Sequence, residues 1–224
     1  MSEFIIQPAD SSHFQYAEEI CLQYAESAKQ RGTGIAKRTP EYVIEKMREG
    51  KAIIALQGDG RFAGFSYIET WSHGNYVANS GLIVNPVFRM HGLGSQIKRA
   101  IFELSKQKYP DAKIFGITTS MAVLKMNSDL GYRPVTFSEL TQDDAFWKGC
   151  QSCPNFDILT RNDRKMCLCT GMLYDPVRNG GKKFDIRKQL AKFERWLRMK
   201  QYILLKKFKV DNSENESASS ILPK

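Results

Sequence analysis

The segment that follows Val84 limits the possible folds more than any other part of this sequence. An apolar run ends at Val84, an Arg-x-x-Gly-x-Gly pattern begins at Arg89, and an amphipathic helical pattern begins at about Ser95. Glycines let the main chain adopt positive φ angles, and the N–H groups that open a helix attract anions. The segment therefore predicts a strand, a phosphate-binding turn and a helix; a tight turn without a ligand is the alternative.

Hydrophobic periodicity predicts the element order β-α-α-β-β-β-α-β-α-β-β-α. A hairpin-rich first half followed by a βαβ crossover indicates an α/β (α+β) fold with a mixed, mostly antiparallel central sheet flanked by helices. The predicted strands are Glu3–Ala9, Lys51–Gln57, Arg61–Thr70, Tyr76–Val84, Ala112–Thr119, Arg133–Phe137 and Arg164–Tyr174. The predicted helices are Ser11–Gln30, Thr39–Gly50, one from about Ser95, Ser120–Tyr132 and Lys182–Lys209.

The net charge of +9 is concentrated near the C-terminus, because residues 182–209 carry eleven Lys or Arg and two acids. We predict one domain over residues 1–176 with a Cys-rich insert at about 146–170, a basic helix over 177–210 and a disordered tail over 211–224. An apolar stripe favours docking of the basic helix on the core. Contacts with coenzyme phosphates, an acidic partner, anionic lipid or nucleic acid remain alternatives.

The sequence also restricts location and partners. The longest apolar runs are far too short to span a bilayer, and the first residues lack the features of a signal peptide. We therefore expect a soluble cytoplasmic protein with no membrane span. Nucleic-acid binding is not expected, because the chain outside the basic segment is neutral. A homo-oligomer is left open.

The Arg-x-x-Gly-x-Gly turn after the fourth strand, the long helix, the next strand and a helix that closes in Leu-Gly-Tyr-Arg-Pro-Val resemble the GCN5-related N-acetyltransferase (GNAT) family over about residues 3–140. The resemblance implies acetyl transfer from acetyl-CoA to an amine. It also implies that the turn binds the coenzyme pyrophosphate and that the fourth strand pairs with the pantetheine arm. The implied cofactor contacts are Leu82, Ile83, Val84, Arg89, Met90, His91, Gly92, Leu93, Gly94 and Ser95.

The catalytic groups are less clear from the sequence. A thioester is already activated, so the protein must align an uncharged amine, remove its proton and stabilise the departing thiolate. The family often places a tyrosine four residues before the glycine of the closing helix, and this chain has Asn127 there. The candidate catalytic residues are therefore Glu69, Asn127 and Tyr76, and His73 and His91 are further possible proton carriers. A surface role is the alternative for each proton carrier.

A narrower resemblance suggests the acceptor. Gly34–Met47, Ile117–Val135 and the following Ser-Glu-Leu are similar to the acetyltransferase domain of N-acetylglutamate synthases, although this chain has no amino-acid-kinase domain. Glutamate has two carboxylates, and Lys37, Arg38 and Arg133 would supply cations for them. We therefore predict an enzyme that acetylates a small amino acid, and glutamate is the first candidate acceptor. Another amine such as a polyamine, antibiotic or protein terminus, a succinyl donor, and a non-catalytic coenzyme-binding or nucleic-acid-binding module are alternatives.

Four of the five cysteines lie in a segment of twenty residues: Cys150, Cys153, Cys167 and Cys169. Two pairs of thiolates separated in this way suit tetrahedral zinc, and clustered cysteines in a reducing compartment more often bind metal than form disulfides. Structural zinc is therefore predicted for the insert. Free buried thiols and redox pairing are the alternatives. Cys21 lies on a helical apolar face and is expected in the core.

Overall fold

The computed structural model describes residues 4–31, 38–179 and 193–200. The strands are β1 (Phe4–Pro8), β2 (Ala52–Gln57), β3 (Phe62–Trp71), β4 (Tyr76–Val84), β5 (Lys113–Thr118), β6 (Arg133–Val135) and β7 (Thr170–Tyr174). The α-helices of residues 4–179 are α1 (Ala17–Arg31), α2 (Pro40–Arg48), α3 (Leu93–Lys108), α4 (Met121–Asp129), α5 (Asp144–Lys148), α6 (Phe156–Arg161) and α7 (Pro176–Asn179). Residues 193–200 are also helical.

Local sequence signals determine several helix ends. Thr39 caps α2, where its Oγ1 accepts the N–H of Tyr42 at 3.3 Å, and Pro40 occupies the first helical position. Ser120 caps α4 in the same way, and Gly131, at φ 90°, follows that helix. These caps place α2 and α4 where the sequence predicted helices.

The seven described strands form one mixed sheet in the order β1-β2-β3-β4-β5-β7-β6. Neighbouring strands are antiparallel except β4 and β5, which are parallel. The helix α3 makes the crossover between these two parallel strands. The predicted mixed, mostly antiparallel sheet flanked by helices is confirmed.

The parallel pair β4 and β5 separates partway along its length. Pairing begins at Tyr76 with Lys113 and ends at Ala78 with Phe115, although β4 continues to Val84. A bulge in β4 lies beyond this point, because Phe65 pairs with Ile83 while Tyr67 pairs with Ser80. A bulge bends its strand and increases the local twist. The bulge therefore directs β4 away from β5 and leaves an edge in the middle of the sheet.

Apolar side chains cover the sheet in two clusters. One cluster lies beneath α1 and α2 and includes Ile20, Val43, Phe65 and Tyr67. The second packs β5, β6 and β7 against the segment that follows β6, and Trp147 is its largest buried ring. The two clusters share one face of the sheet, and α3 packs on the other face.

The structure differs from the predicted elements mainly after β6. The last strand begins at Thr170 and not at Arg164, and the Cys-rich insert contains the short helices α5 and α6. β7 also lies between β5 and β6, so the last strand of the chain is not at the edge. Helix α3 begins at Leu93, two residues before the predicted start. Periodicity did not reveal α5 and α6, because helices of five and six residues complete fewer than two turns.

Contacts divide the chain into two compact units, residues 1–182 and 183–224. The predicted basic helix over 177–210 falls in the described residues only at α7 and at 193–200, and both of these segments are helical. The rest of that prediction, and the predicted tail over 211–224, lie outside the described residues. None of the described helices combines the length and the apolar character needed to cross a membrane.

Candidate active site

The glycine-rich turn has the geometry of an anion site. Met90 and Gly92 both have left-handed backbone angles, with φ 70° and 71°, and Gly92 is the residue that caps α3. A Cβ added at Gly92 would have no atom within 4 Å, so the space beside this main chain is open. The first N–H groups of an α-helix have no intrahelical acceptor. In α3 the Ser95 N–H donates to the Gly92 carbonyl at 3.1 Å, so the donors in question are those of Leu93 and Gly94. The turn therefore presents main-chain donors and the positive end of the α3 dipole to an open space.

The predicted cofactor residues lie along one continuous path. A Cβ at Gly94 would lie 3.6 Å from Val84 Cγ2 and 3.8 Å from Met126 Sδ, so the start of α3 is adjacent to the end of β4 and to α4. Leu82–Val84 belong to the part of β4 that has no partner in β5. Main-chain groups on that edge can pair with an extended ligand as a further strand would. The sheet thus brings the turn and the strand edge together.

Glu69 lies in a polar network on the face of the sheet that carries α1 and α2. Its side chain is 14 % exposed and accepts hydrogen bonds from Tyr42 Oη and, at 2.7 Å, from Ser80 Oγ. Arg38 Nη2 lies 3.6 Å from the same carboxylate, and Arg38 Nε donates to Tyr67 Oη at 2.6 Å. Two hydroxyl donors and one cation therefore hold the carboxylate in place.

The two tyrosines of this network remain protonated phenols. Burial, followed by the charge of Glu69, raises the pKa of Tyr42 and of Tyr67 well above the ordinary value. Both rings also lie beside the Arg38 guanidinium, at 5.1 and 5.8 Å from their centroids. Tyr42, Tyr67 and Ser80 were not predicted from the sequence as members of the site. The available signal was the period-two spacing of Tyr67 and Glu69, which places both side chains on one face of β3.

Two of the three cations predicted for the acceptor carboxylates are already paired with carboxylates in the described structure. Arg38 contacts Glu69, and Arg133 Nη2 lies 2.6 Å from Glu139 Oε2. Lys37 lies outside the described residues. The Arg133–Glu139 pair is the more exposed of the two, since the side chains are 25 % and 39 % exposed. Glu139 therefore occupies Arg133 Nη2, and a substrate carboxylate that uses this donor would have to displace it.

Tyr76 and Asn127 occupy different surroundings. Tyr76 begins β4 at the end where that strand still pairs with β5; its Oη donates to the Glu139 carbonyl at 3.4 Å, and its ring packs on Phe115. Asn127 is 1 % exposed on α4, and its Oδ1 has no hydrogen-bond partner within the described residues. Both catalytic assignments remain predictions.

The two histidines named as further proton carriers do not join the Glu69 network. His73 lies in the turn between β3 and β4 with φ 57°, and His91 is exposed in the glycine-rich turn. Neither side chain has a hydrogen bond to Glu69 among the described contacts of that carboxylate. The described contacts therefore do not include either histidine in the Glu69 network.

A second polar cluster lies on the opposite face of the sheet, beneath α3. Asn79 is the first residue of β4 beyond the pairing with β5, and its Oδ1 accepts from Tyr132 Oη at 2.9 Å and from Lys98 Nζ at 3.4 Å. Its Nδ2 donates to Ser105 Oγ at 2.7 Å. Lys98 is 2 % exposed, and burial lowers its pKa to about 7. This lysine was not predicted from the sequence as a site residue.

The four cysteines of the insert line one pocket together with Asn155 and apolar side chains. The pKa of Cys150 is raised to about 11, first by burial and then by the neighbouring thiols of Cys153 and Cys167. The pKa of Cys169 is also raised, first by its hydrogen bond with Cys167 and then by burial. Among the described residues, no group of three or more His, Cys, Asp or Glu side chains is placed to hold a metal ion. Structural zinc therefore has no support from this geometry and stays a prediction from the sequence.

No protein-family model matches the sequence. None of the curated proteins compared with it is detectably similar. Similarity is found among solved structures, and many of these are N-acetyltransferases of the GNAT family. One is an acetyltransferase of the GNAT family from Staphylococcus aureus, with a TM-score of 0.53 and 13 % identity over 78 % of this chain and 99 % of that chain.

Two further matches contain coenzyme. A Salmonella typhimurium protein solved with its cofactor acetyl-CoA has a TM-score of 0.54 and 12 % identity, over 82 % of this chain and 97 % of that chain. N-acetylglutamate synthase from Neisseria gonorrhoeae, complexed with coenzyme A and N-acetyl-glutamate, has a TM-score of 0.54 and 14 % identity over 78 % of this chain. The match covers 35 % of that longer chain. These likenesses, together with the separated β4 and β5 strands, show that this chain has the fold of the GNAT acetyltransferases.

Proposed function

We propose that the protein is an acetyl-CoA-dependent N-acetyltransferase that acts on the amine of a small molecule, with glutamate as the first candidate. The observation that carries this proposal is the open edge of β4 beyond Ala78, which leads directly to the Gly92 turn and the start of α3. That edge suits an extended pantetheine arm, and the turn suits a diphosphate. Coenzyme A combines these two chemical groups. The coenzyme in the Salmonella structure supports the assignment.

Substitution of Gly92 by Ala is expected to weaken coenzyme A binding about tenfold or more, as measured by calorimetry. The new Cβ would enter the open space beside the turn and would strain a backbone that has φ 71°. Gly60→Ala is the matched control, because Gly60 has φ 87°, also has no atom near its Cβ position, and lies in the β2–β3 hairpin. The control should lose similar stability and keep its affinity. Equal affinity in both variants would contradict the placement of the diphosphate.

The proposed chemistry uses the two faces of the sheet. The thioester lies in the gap between β4 and β5, and the acceptor amine approaches from the face that carries Glu69. Glu69 removes the proton from the attacking nitrogen, directly or through water. Tyr42 and Ser80 hold the carboxylate in the position from which it can do so. Orientation of the amine against an activated carbonyl supplies much of the remaining acceleration.

Glutamate is proposed first for two reasons. Residues 34–47 and 117–135 resemble N-acetylglutamate synthases, and 35 % of the Neisseria enzyme of that name, solved with N-acetyl-glutamate, shares this fold. The Arg38–Glu69 pair is the more buried one and holds the proposed base, so we assign it no contact with the substrate carboxylates. Arg133 is the cation that can exchange its partner, because Glu139 is the more exposed member of its pair.

Glu139→Gln is expected to lower the KM for glutamate about threefold to tenfold, because the substrate carboxylate would no longer compete with a charged partner for Arg133. Arg133→Gln should raise the same KM, and kcat should change little in either variant. Steady-state kinetics at saturating acetyl-CoA measure both constants. Asp157→Gln is a control, since it removes a carboxylate from an exposed pair with Arg161. An unchanged KM in Glu139→Gln would exclude Arg133 from the acceptor site.

An assay of released thiol against a panel of amines tests the proposed function as a whole. The panel contains glutamate and other amino acids, a polyamine, an aminoglycoside and a peptide with a free N-terminus, and each is tried with acetyl-CoA and succinyl-CoA. Turnover with glutamate is the expected result. If only a different amine is acetylated, the proposed reaction is correct and the proposed acceptor, glutamate, is wrong. Binding of coenzyme A without turnover of any amine would indicate a non-catalytic coenzyme-binding module.

A further inference from the structure

The buried lysine on α3 is a charged group that the proposed chemistry has not used. Lys98 is 2 % exposed, and within the described residues no carboxylate lies within ion-pair distance of it. The groups that face it are Asn79 of β4, whose Oδ1 is 3.4 Å from Nζ, and Tyr132, whose ring centroid is 5.2 Å away. Tyr174 of β7 packs behind Tyr132, and Ser105 lies on the far side of Asn79. A buried amine without an ionic partner costs stability, so its retention needs an explanation.

The position of Lys98 relative to the open strand edge suggests that explanation. Gly94 lies one helical turn before Lys98 on the same side of α3, and its Cβ position is next to Val84 and Met126. Asn79 is the first residue of β4 after pairing with β5 ends. The five residue steps from Val84 to Asn79 span about 17 Å of extended strand, which suits a pantetheine arm between its diphosphate and its sulfur. A coenzyme bound along this edge would bring its sulfur to the level of Asn79 and Lys98.

We propose that Lys98 donates the proton that the coenzyme A thiolate takes up when the thioester is cleaved. This role rests on the proposed acetyltransferase function. Asn127 on α4 stands where related enzymes often have a tyrosine, and its side-chain amide is too weak an acid to protonate a thiolate. Lys98 is the buried cation on the α3 face, beside the point where β4 and β5 separate. An ammonium group in these apolar surroundings also stabilises the negative sulfur as the bond breaks.

The proposed reaction conserves atoms and charge with Glu69, Lys98 and water as its proton carriers. The acceptor nitrogen attacks the thioester carbonyl carbon and forms the C–N bond, and its proton passes to Glu69. The tetrahedral intermediate then collapses, the C–S bond breaks, and the electron pair stays on sulfur. Sulfur takes a proton from the Lys98 ammonium, which becomes a neutral amine. Lys98 regains a proton from water when products leave, and Glu69 releases its proton to water.

Burial makes the Lys98 ammonium a stronger acid, which supports this role. The pKa of Lys98 is lowered to about 7, so the ammonium can give up its proton at neutral pH. The acid form is needed for turnover, and this form is present below the pKa and is lost as the pH rises through it. kcat of the wild-type protein should therefore fall as the pH rises above about 7.

The test compares kcat from pH 6 to pH 10 in the wild-type protein and in Lys98→Met, with acetyl-CoA and the acceptor found by the amine panel. The variant is expected to lose about 100-fold in kcat at pH 7 and to lose the fall at higher pH. Its affinity for coenzyme A should stay within threefold, and its melting temperature at pH 7 should equal or exceed that of the wild type. Lys106→Met, which removes an exposed lysine from the same helix, is the matched control.

The outcomes separate the two proposals. An unchanged kcat and an unchanged fall with pH in Lys98→Met would overturn the role of Lys98 and leave the acetyltransferase function standing. An acetyl group found on Lys98 by peptide mass spectrometry would make it an acceptor and would also overturn the role. Absence of turnover in the wild type with every amine would overturn both proposals. Carbon-13 NMR of lysine-labelled wild-type protein needs no variant: a lysine that titrates near pH 7 is expected, and its absence contradicts the proposal.

Discussion

The variant Glu69→Gln is expected to lower kcat by about 10²-fold to 10⁴-fold with the best acceptor, while the affinity for coenzyme A changes little. The carboxylate is 14 % exposed and is held by Tyr42, Ser80 and Arg38 on the face from which the amine would approach. Glutamine keeps the size of the side chain and an acceptor oxygen, but it cannot remove a proton from nitrogen. Steady-state kinetics and calorimetry measure the two effects separately.

A structural effect of this substitution needs its own control. Glu69→Gln removes the charge that faces Arg38, so the melting temperature of the variant must be measured beside its activity. Glu103→Gln removes an exposed carboxylate from a pair with Lys106 and should change neither quantity. If Glu69→Gln keeps a kcat within about threefold of the wild type, Glu69 is not the base.

Gly81→Ala should lower the free energy of unfolding by about 3 kcal/mol, because it combines overpacking with a left-handed backbone. A Cβ at Gly81 would lie 2.2 Å from Tyr67 Cε1 and 2.4 Å from Tyr24 Oη, and the residue has φ 62°. Both tyrosine rings are buried, and Tyr24 Oη donates to the Gly81 carbonyl at 2.6 Å. A fall of about 10 °C in melting temperature is expected for a chain of this size.

Gly74→Ala separates the two causes. Gly74 has φ 86° but no atom within 4 Å of its Cβ position, so alanine there causes backbone strain without a clash and should cost about 1 kcal/mol. Gly81→Ala should also weaken coenzyme A binding, because the bulge that contains Gly81 bends β4 away from β5. Equal losses of stability in the two variants would show that the tyrosines do not restrict the bulge.

The local elements were predictable because local signals determine them. Thr39, Pro40 and Ser120 mark helix starts by capping chemistry, and alternation of apolar side chains marks strands. The glycine-rich turn was also visible, since Gly92 supplies one of its two positive φ angles, although Met90 adopts the other. The short helices α5 and α6 were missed, because a helix of one or two turns has no measurable period.

The sequence by itself determined the order of the elements up to β6, the fold class and the turn that we assign to the diphosphate, because each depends on residues close together in the chain. Only the tertiary structure decided which charges meet. Glu69 accepts a hydrogen bond from Tyr42, which is separated from it by 27 positions in the chain. Arg133 is paired with Glu139. Lys98 is buried against Asn79 and Tyr132. Such partners depend on strand register, on the bulge at Gly81 and on the packing of α3 across the sheet. Hydrophobic periodicity predicts which face of a helix or strand is apolar. It does not predict which residues of other elements contact a polar side chain on that face.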